Sequence, residues 1–339
     1  MKQEKKILIT GAAGYIGSHA VSHFLENGES LVLVDNLQTG HEEAIPKENL
    51  YLLDLRDKDG LNQVFKENKI ETVIHFAADS LVSESMKKPY EYYHNNVYGM
   101  LCLLGAMREN EVRQIVFSST AAVYGEPKCI PIAETDTLEP TNTYGETKLA
   151  MEKMMKWFAN AYGIRYVSLR YFNAAGAHEN GRIGEAHDTE THLIPLVLQV
   201  PLGKRKEILL FGEDYPTKDG SCVRDYIHVM DLAAAHYRAL LYLRNGGASD
   251  IFNLGNGTGY SVKEVIETAR KITGHPIPVE IKERRTGDPA VLIASSKKAQ
   301  EVLGWQPEHV LLEKIICDAW NWHKANPYGY ESLNAVADL

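Results

Sequence analysis

Tyr144 and Lys148 lie four residues apart, so a helix would carry phenol and ammonium on one face. Free in water the two groups titrate near ~10 and ~10.4, and neither is a base at neutral pH. Held together beside a further positive charge, the phenol should ionise more easily and act as a general base. The pair sits in Tyr144-Gly-Glu-Thr-Lys148, downstream of the strand-like run Gln114–Thr120. Surface helices produce this spacing by chance, so its weight depends on what precedes it.

What precedes it is a glycine-rich turn, Gly11-Ala-Ala-Gly14-Tyr15-Ile16-Gly17, directly after the apolar run Lys6–Thr10. Such glycines permit a tight turn and bring the backbone close to a pyrophosphate seated on the following helix N-terminus. Asp35 ends the next apolar run, Leu31–Val34, and is placed to accept hydrogen bonds from adenine-ribose hydroxyls, with Asn36 assisting. A carboxylate there repels a 2′-phosphate, which selects NAD over NADP. Asp54 and Leu55, after a third run, fit an adenine-edge contact. Phe76, Ala77 and Ala78 follow a fourth, where the chain must pass near the pyrophosphate. All these positions fall at the carboxyl ends of strands, where open α/β sheets bind ligands.

The elements that must position these groups alternate. Lys6–Thr10, Leu31–Val34, Leu50–Leu53, Thr72–His75, Ile115–Phe117 and Tyr166–Leu169 read as buried strands. Ser18–Asn27, Leu61–Asn68, Val97–Asn110 and Gly145–Tyr162 read as helices between them. The pattern predicts an α/β fold, a Rossmann-type doubly wound parallel sheet over residues 1–176, with a smaller C-terminal α/β substrate domain over 177–339. Some segments of the second part are expected to return to the first. Ala177–Thr191 reads as a loop, Ile208–Phe211 as a strand, and Leu232–Arg244, Ser261–Thr273 and Lys297–Leu303 as helices. Asp231 is expected to cap the first of these helices, and the tail after Pro327 to be an irregular extension.

The bulk numbers exclude several classes. The chain has 339 residues, 44% of them hydrophobic, and a net charge of −9, which disfavours nucleic acid. No apolar run is long enough for a membrane span, and the N-terminus leaves no room for a signal sequence. Cys102, Cys129, Cys222 and Cys317 are scattered and read as free thiols in a reducing, cytoplasmic setting. The thirteen histidines read as structural or surface groups, and no metal is assigned.

Together these residues resemble the extended short-chain dehydrogenase/reductase superfamily and, within it, the UDP-glucose 4-epimerases, over about residues 5–330. The resemblance rests on Gly11–Gly17, His75–Ala78, Tyr92–Val97, Phe117–Gly125, Tyr144–Lys148, Leu169–Asn173 and Val223–Leu232. It implies that Tyr144 exchanges a proton with the sugar 4-hydroxyl, that Lys148 holds the nicotinamide ribose and lowers the phenol, and that the Thr120 hydroxyl bridges substrate and Tyr144. It also implies cofactor contacts from Asn95, Asn96, Ser118 and Tyr171. On the UDP-sugar side it implies Phe172, Asn173, His192, Leu193 and Phe211, with Arg224 and Arg285 at the diphosphate and Asp288 near the uridine ribose. A homodimer paired through Val97–Asn110 and Gly145–Tyr162 is expected by the same likeness.

Four departures carry information. Ser80 stands where many relatives have a cofactor-phosphate lysine, and His192 where an asparagine is common. Ala121-Ala122 replaces the Asp-Glu with which sugar-nucleotide dehydratases eliminate water, so dehydration is not expected. Leu292 falls where some bacterial relatives have a tyrosine lining the sugar pocket, and a smaller residue leaves depth for N-acetylated UDP-sugars. The alternatives are a 4-epimerase of a UDP-pentose or UDP-uronate, and a non-catalytic NAD-binding sensor, which would have no need of both Tyr144 and Lys148.

Overall fold

The structure, a computed structural model, describes residues 5–285 and 288–331. The apolar runs of the first half form parallel strands because most are buried on both faces. They are β1 (Lys6–Thr10), β2 (Leu31–Asp35), β3 (Leu50–Leu52), β4 (Ile70–His75), β5 (Gln114–Thr120) and β6 (Arg165–Tyr171). Three short strands follow, β7 (Asn173–Ala175), β8 (Ile208–Phe211) and β9 (Val223–His228), before β10 (Asp250–Leu254). The main sheet runs β10-β6-β5-β4-β1-β2-β3, so β10 returns to pair with β6. Strand order reverses between β1 and β4, which leaves a crevice at their carboxyl ends. The turn after β1 and Phe76–Ala78 after β4 form its two lips.

Helices cover both faces. On one, Tyr15–Glu26 packs on Val229–Arg244, with Ala20 and Phe24 meeting Leu232, Ala235 and Ala239 in one buried cluster. On the other, Lys58–Glu67, Gly99–Glu109 and Thr143–Tyr162 bury Leu61, Phe65, Leu103, Met107, Met151 and Met155. Each such side chain contributes about 1.5–3 kcal/mol on leaving water. The helix Thr143–Tyr162 begins where the Asn142 side chain accepts the Gly145 N–H at 2.8 Å, and ends at Gly163, whose φ of +68° stops the helical twist.

The helix expected over Val97–Asn110 differs. A π-helical stretch, Tyr93–Tyr98, runs into an α-helix at Gly99. The wide turn changes the phase of the side chains, with consequences for Asn95 and Asn96 below. Asp231 is not a cap: His228 accepts the Met230 N–H at 3.1 Å in that role. Asp231 lies in the first turn and holds the N–H groups of Glu308 and His309 at 3.0 and 2.9 Å.

The second lobe is assembled from very short strands. β9 pairs with β7, with β11 (Gly259–Ser261), and, after β12 (Val279–Lys282) has paired with β8, with β13 (Val291–Leu292). Ile194, Leu198, Tyr226, Ile266, Ile315 and Ile316 form its core. Over residues 327–331 the chain is irregular but anchored: Tyr330 is buried, and its hydroxyl donates to the Gly184 carbonyl at 3.1 Å. Residues 332–339 lie outside the described residues.

Candidate functional site

The crevice is an open cleft lined by Gly11, Gly14, Tyr15, Ile16 and Gly17 on one side and Phe76, Ala77 and Ala78 on the other. Two glycines are required by close approach. Gly11 has φ +71°, and a Cβ on it would stand 2.5 Å from the Ala77 nitrogen. A Cβ on Gly17 would meet the Gly11 carbonyl oxygen at 2.0 Å. Gly14 caps Tyr15–Glu26 without a side-chain hydrogen bond, so the first-turn N–H groups remain for an anionic ligand.

Asp35 accepts the N–H of Ala13 at 2.9 Å and of Leu37 at 2.8 Å, so its carboxylate ties the glycine turn to the end of β2 while lining the cleft. Burial raises its pKa above the usual carboxylate value, and the backbone hydrogen bonds oppose that. Asn36, Asp54 and Leu55 line the same end. Asp54 is gripped by Arg56, with Nε 2.7 Å from Oδ1, and this hydrogen bonding lowers its pKa to about 2. Arg56 escaped the sequence reading, although its place two residues after Asp54 could have signalled it. Asn95 and Ser118 reach the cleft, and so does Tyr171. Asn96 does not line it. Its amide is consumed by the Asp79 backbone, at 2.8 and 3.0 Å, and by Thr147 Oγ1 at 3.1 Å, so it holds the cleft wall from behind.

At the other end stand Tyr144 and Lys148, one turn apart on their helix and both lining the cleft. Lys148 Nζ lies 5.8 Å from the centre of the Tyr144 ring and donates to the Ser118 carbonyl at 2.8 Å, which fixes it against the end of β5. Ser85 Oγ accepts the Tyr144 N–H at 3.1 Å. Thr120 closes β5, and its hydroxyl hydrogen-bonds the Tyr144 phenol. The expectation of an easily ionised phenol rested on a further positive charge beside the pair, and the protein's own groups do not supply it. Burial pushes Tyr144 up to about 12, against the Thr120 hydrogen bond, and burial brings Lys148 down to about 7, against the charge of Glu152. Burial thus opposes the charged form of each, leaving the phenol neutral while the ammonium can still carry its charge near neutral pH. Ionising the phenol therefore requires positive charge delivered into the cleft.

Behind the pair runs a buried network that the sequence reading missed. Glu152, one turn beyond Lys148, accepts from Ser119 Oγ at 2.6 Å and from Arg170 Nε at 2.9 Å. Arg170 also donates to the Tyr124 hydroxyl at 2.9 Å, and that hydroxyl donates to Asn253 at 2.7 Å. Glu152 repeats the four-residue spacing of Tyr144 and Lys148, a signal that was present in the sequence. Arg170, from β6, gave no local one.

The residues assigned to the sugar nucleotide gather in the second lobe, away from the cleft lining except for His192. The Arg285 guanidinium stacks 3.9 Å from the centre of the Phe211 ring. Arg224 is ion-paired with Asp288 rather than standing free, and its other donor meets the Val223 carbonyl at 2.8 Å. The two groups expected at diphosphate and ribose thus neutralise one another. Leu292 pairs in register with Arg224, and it packs with Phe172 against Val123, Tyr124, Ile132 and Leu149. Asn173 is exposed on β7, whereas Leu193 turns into the second core.

His192 is half-exposed and ion-paired with Glu185. Burial works to lower its pKa, yet the Glu185 charge outweighs it and raises it to about 9. His187, also on the cleft wall, lies 3.4 Å from both Glu185 and Glu190. The sequence also holds a four-residue histidine spacing, His19–His23. It makes no site, because His19 is buried with Nδ1 on the Tyr15 carbonyl at 2.7 Å and its pKa falls to about 3 through burial.

Residues 7–255 match the family model of the NAD dependent epimerase/dehydratase family. A UDP-glucose 4-epimerase of Halalkalibacterium halodurans is 61% identical over 328 residues, 97% of this chain and 98% of that one. A crystal structure of a UDP-glucose 4-epimerase superposes with a TM-score of 0.95 at 58% identity, covering 96% of this chain and 99% of that one. The Bifidobacterium longum UDP-glucose 4-epimerase, solved with NAD+ and UDP, superposes at 0.89 with 40% identity over 96% of this chain and all (100%) of that one.

Proposed function

Because the chain belongs to the NAD dependent epimerase/dehydratase family, we propose that it interconverts UDP-glucose and UDP-galactose through a 4-keto sugar, with bound NAD and no net redox change. The observation that carries this reading is the meeting of Tyr144 and Lys148, both lining the cleft, with Thr120 at the carboxyl end of β5. Bound in this cleft, NAD would supply the hydride acceptor and donor for the sugar C4. Tyr144 takes the 4-hydroxyl proton as that hydride leaves and gives it back when the keto group is reduced on its other face. Thr120 orients the phenol by its hydrogen bond and offers its hydroxyl to the substrate. Lys148, anchored on Ser118, presents its charge to the ribose and the forming phenolate. Phe211, Arg224, Arg285 and Asp288 would hold the nucleotide, with the Arg224–Asp288 pair opening so that the guanidinium meets phosphate.

The absence of acids at Ala121 and Ala122 argues against dehydration. Leu292, smaller than a tyrosine and partly buried with Phe172 against the same hydrophobic cluster, supports acceptance of N-acetylated UDP-sugars as well. A homodimer through Gly99–Glu109 and Thr143–Tyr162 is supported by the exposed side chains of Leu101 and Trp157 on those helices. A sedimentation mass of one chain would oppose it. No helix among the described residues is long and apolar enough to cross a membrane, and we place the activity in the cytoplasm, where four free cysteines stay reduced. The test of function is incubation of the purified protein with UDP-galactose without added reductant. UDP-glucose should appear, and Tyr144→Phe should slow it by about 10²–10⁴-fold. An undiminished rate in that variant would refute the assignment of the base.

A further inference from the structure

We propose that Glu185, His187, Glu190 and His192 form a binding site for one divalent transition-metal ion of the zinc class, which clips the 177–192 loop at the wall of the cofactor cleft. The four side chains offer two imidazole nitrogens and two carboxylate oxygens, all within 4.8 Å of one another. Two nitrogens with two oxygens suit zinc or cobalt, whereas calcium and magnesium prefer oxygen alone. Two of the separations fit as well, while the His192–Glu185 contact is shorter than a tetrahedral edge and would widen around the ion. Zinc bonds of about 2.0–2.2 Å give a tetrahedron whose ligand atoms stand about 3.4 Å apart. His187 Nδ1 lies 3.4 Å from Glu185 Oε1 and 3.4 Å from Glu190 Oε2, long for hydrogen bonds and right for tetrahedral edges.

A second observation is the burial of Glu185, whose carboxylate has no partner outside the cluster among the described residues. Its side chain is 3% exposed, yet among the described residues its carboxylate is partnered by the two imidazoles alone, with no arginine, lysine or backbone N–H. A buried carboxylate in that setting calls for positive charge, which protonated His192 supplies in the cluster itself and a divalent ion would supply in its place. The ligands are also held in place. Trp322 Nε1 donates to the Glu185 carbonyl at 3.0 Å, and His41 Nε2 hydrogen-bonds the Ala186 carbonyl at 2.7 Å. Glu190 Oε1 accepts the N–H groups of Thr191 and His192, both at 2.7 Å, which leaves Oε2 turned to His187. Two carboxylates and a divalent ion make a neutral site, so burial of Glu185 is compensated within the cluster.

Chelator-treated, NAD-containing full-length protein should be titrated with Co²⁺ and followed by visible absorption. The expected result is the intense d–d bands of tetrahedral Co²⁺ at one ion per chain, displaced by Zn²⁺ and not by Mg²⁺. His187→Ala should weaken Co²⁺ binding at least ~100-fold, since loss of a mere supporting contact to a ligand costs 10–100-fold. Zn²⁺ should also raise the thermal midpoint of the unaltered protein and leave that of His187→Ala unchanged. Absent bands in the unaltered protein, or bands that persist in His187→Ala, would show that the cluster is a plain histidine–glutamate ion-pair network and overturn the proposal. Should His187→Ala fail to fold, Glu190→Gln supplies the same comparison.

Discussion

Replacing Lys148 by methionine tests how the site makes a base of a phenol that burial pushes up to about 12. Lys148 Nζ lies 5.8 Å from the centre of the Tyr144 ring. A unit charge at that separation, at an effective dielectric of ~20, is worth about 3 kcal/mol, or about 2 pKa units. The sign follows from the charge. Removing a cation disfavours the phenolate and raises the phenol pKa, so the limb along which kcat rises with pH should move upward by ~2 units. Below that limb the variant should be ~100-fold slower, and the gap should close as pH rises. The coupling is reciprocal, so the forming phenolate raises the ammonium by the same amount and offsets the burial that lowers Lys148 to about 7. Methionine preserves length and apolar packing in a site only 3% exposed. The assay is the pH profile of kcat on UDP-galactose with saturating NAD, beside NAD affinity measured separately. A limb that stays in place while kcat falls equally at every pH would refute the electrostatic argument and leave Lys148 as a ribose anchor alone.

Three further substitutions probe the frame. Glu152→Ala leaves Arg170 buried without its partner in a pair exposed only 4% and 1%, and should cost about 3–5 kcal/mol in chemical denaturation; a loss under about 1 kcal/mol would contradict the network. Gly17→Ala drives a Cβ to 2.0 Å from the Gly11 carbonyl oxygen, and the displaced turn should weaken NAD binding by about 2 kcal/mol, or ~30-fold, by calorimetry. Unchanged affinity would mean that the turn does not seat the cofactor. Leu292→Tyr fills the wall beside Phe172 and should cut UDP-GlcNAc turnover ~10-fold or more while sparing UDP-glucose; equal effects on both would remove Leu292 from sugar selection.

Much of the cofactor half was legible because its signals are local. Gly11, Gly14 and Gly17, Asp35 at the end of its strand, and Tyr144 with Lys148 all depend on spacings of a few residues. The parallel strands were readable as apolar runs, since burial on both faces leaves little polar alternation. What escaped was non-local or short. Arg170 meets Glu152 across 18 residues and Arg224 meets Asp288 across 64, and no periodicity announces either pair. β13 spans only Val291–Leu292, too brief for any alternation to register. The Glu185–His192 cluster belongs to no helical or strand period, and the fold had to bend the loop before its side chains could converge. The burial of the phenol was not legible, for a different reason. Reading the pair supplied charge, whereas burial, which dominates both groups here, depends on what surrounds them.

The most direct test of the central claim is the fate of the hydrogen on the sugar C4. UDP-galactose deuterated at that carbon should yield UDP-glucose that retains the deuterium at C4, in ordinary water and without added reductant. Loss of the label to solvent would contradict an oxidation that is reversed at the same carbon within one closed site.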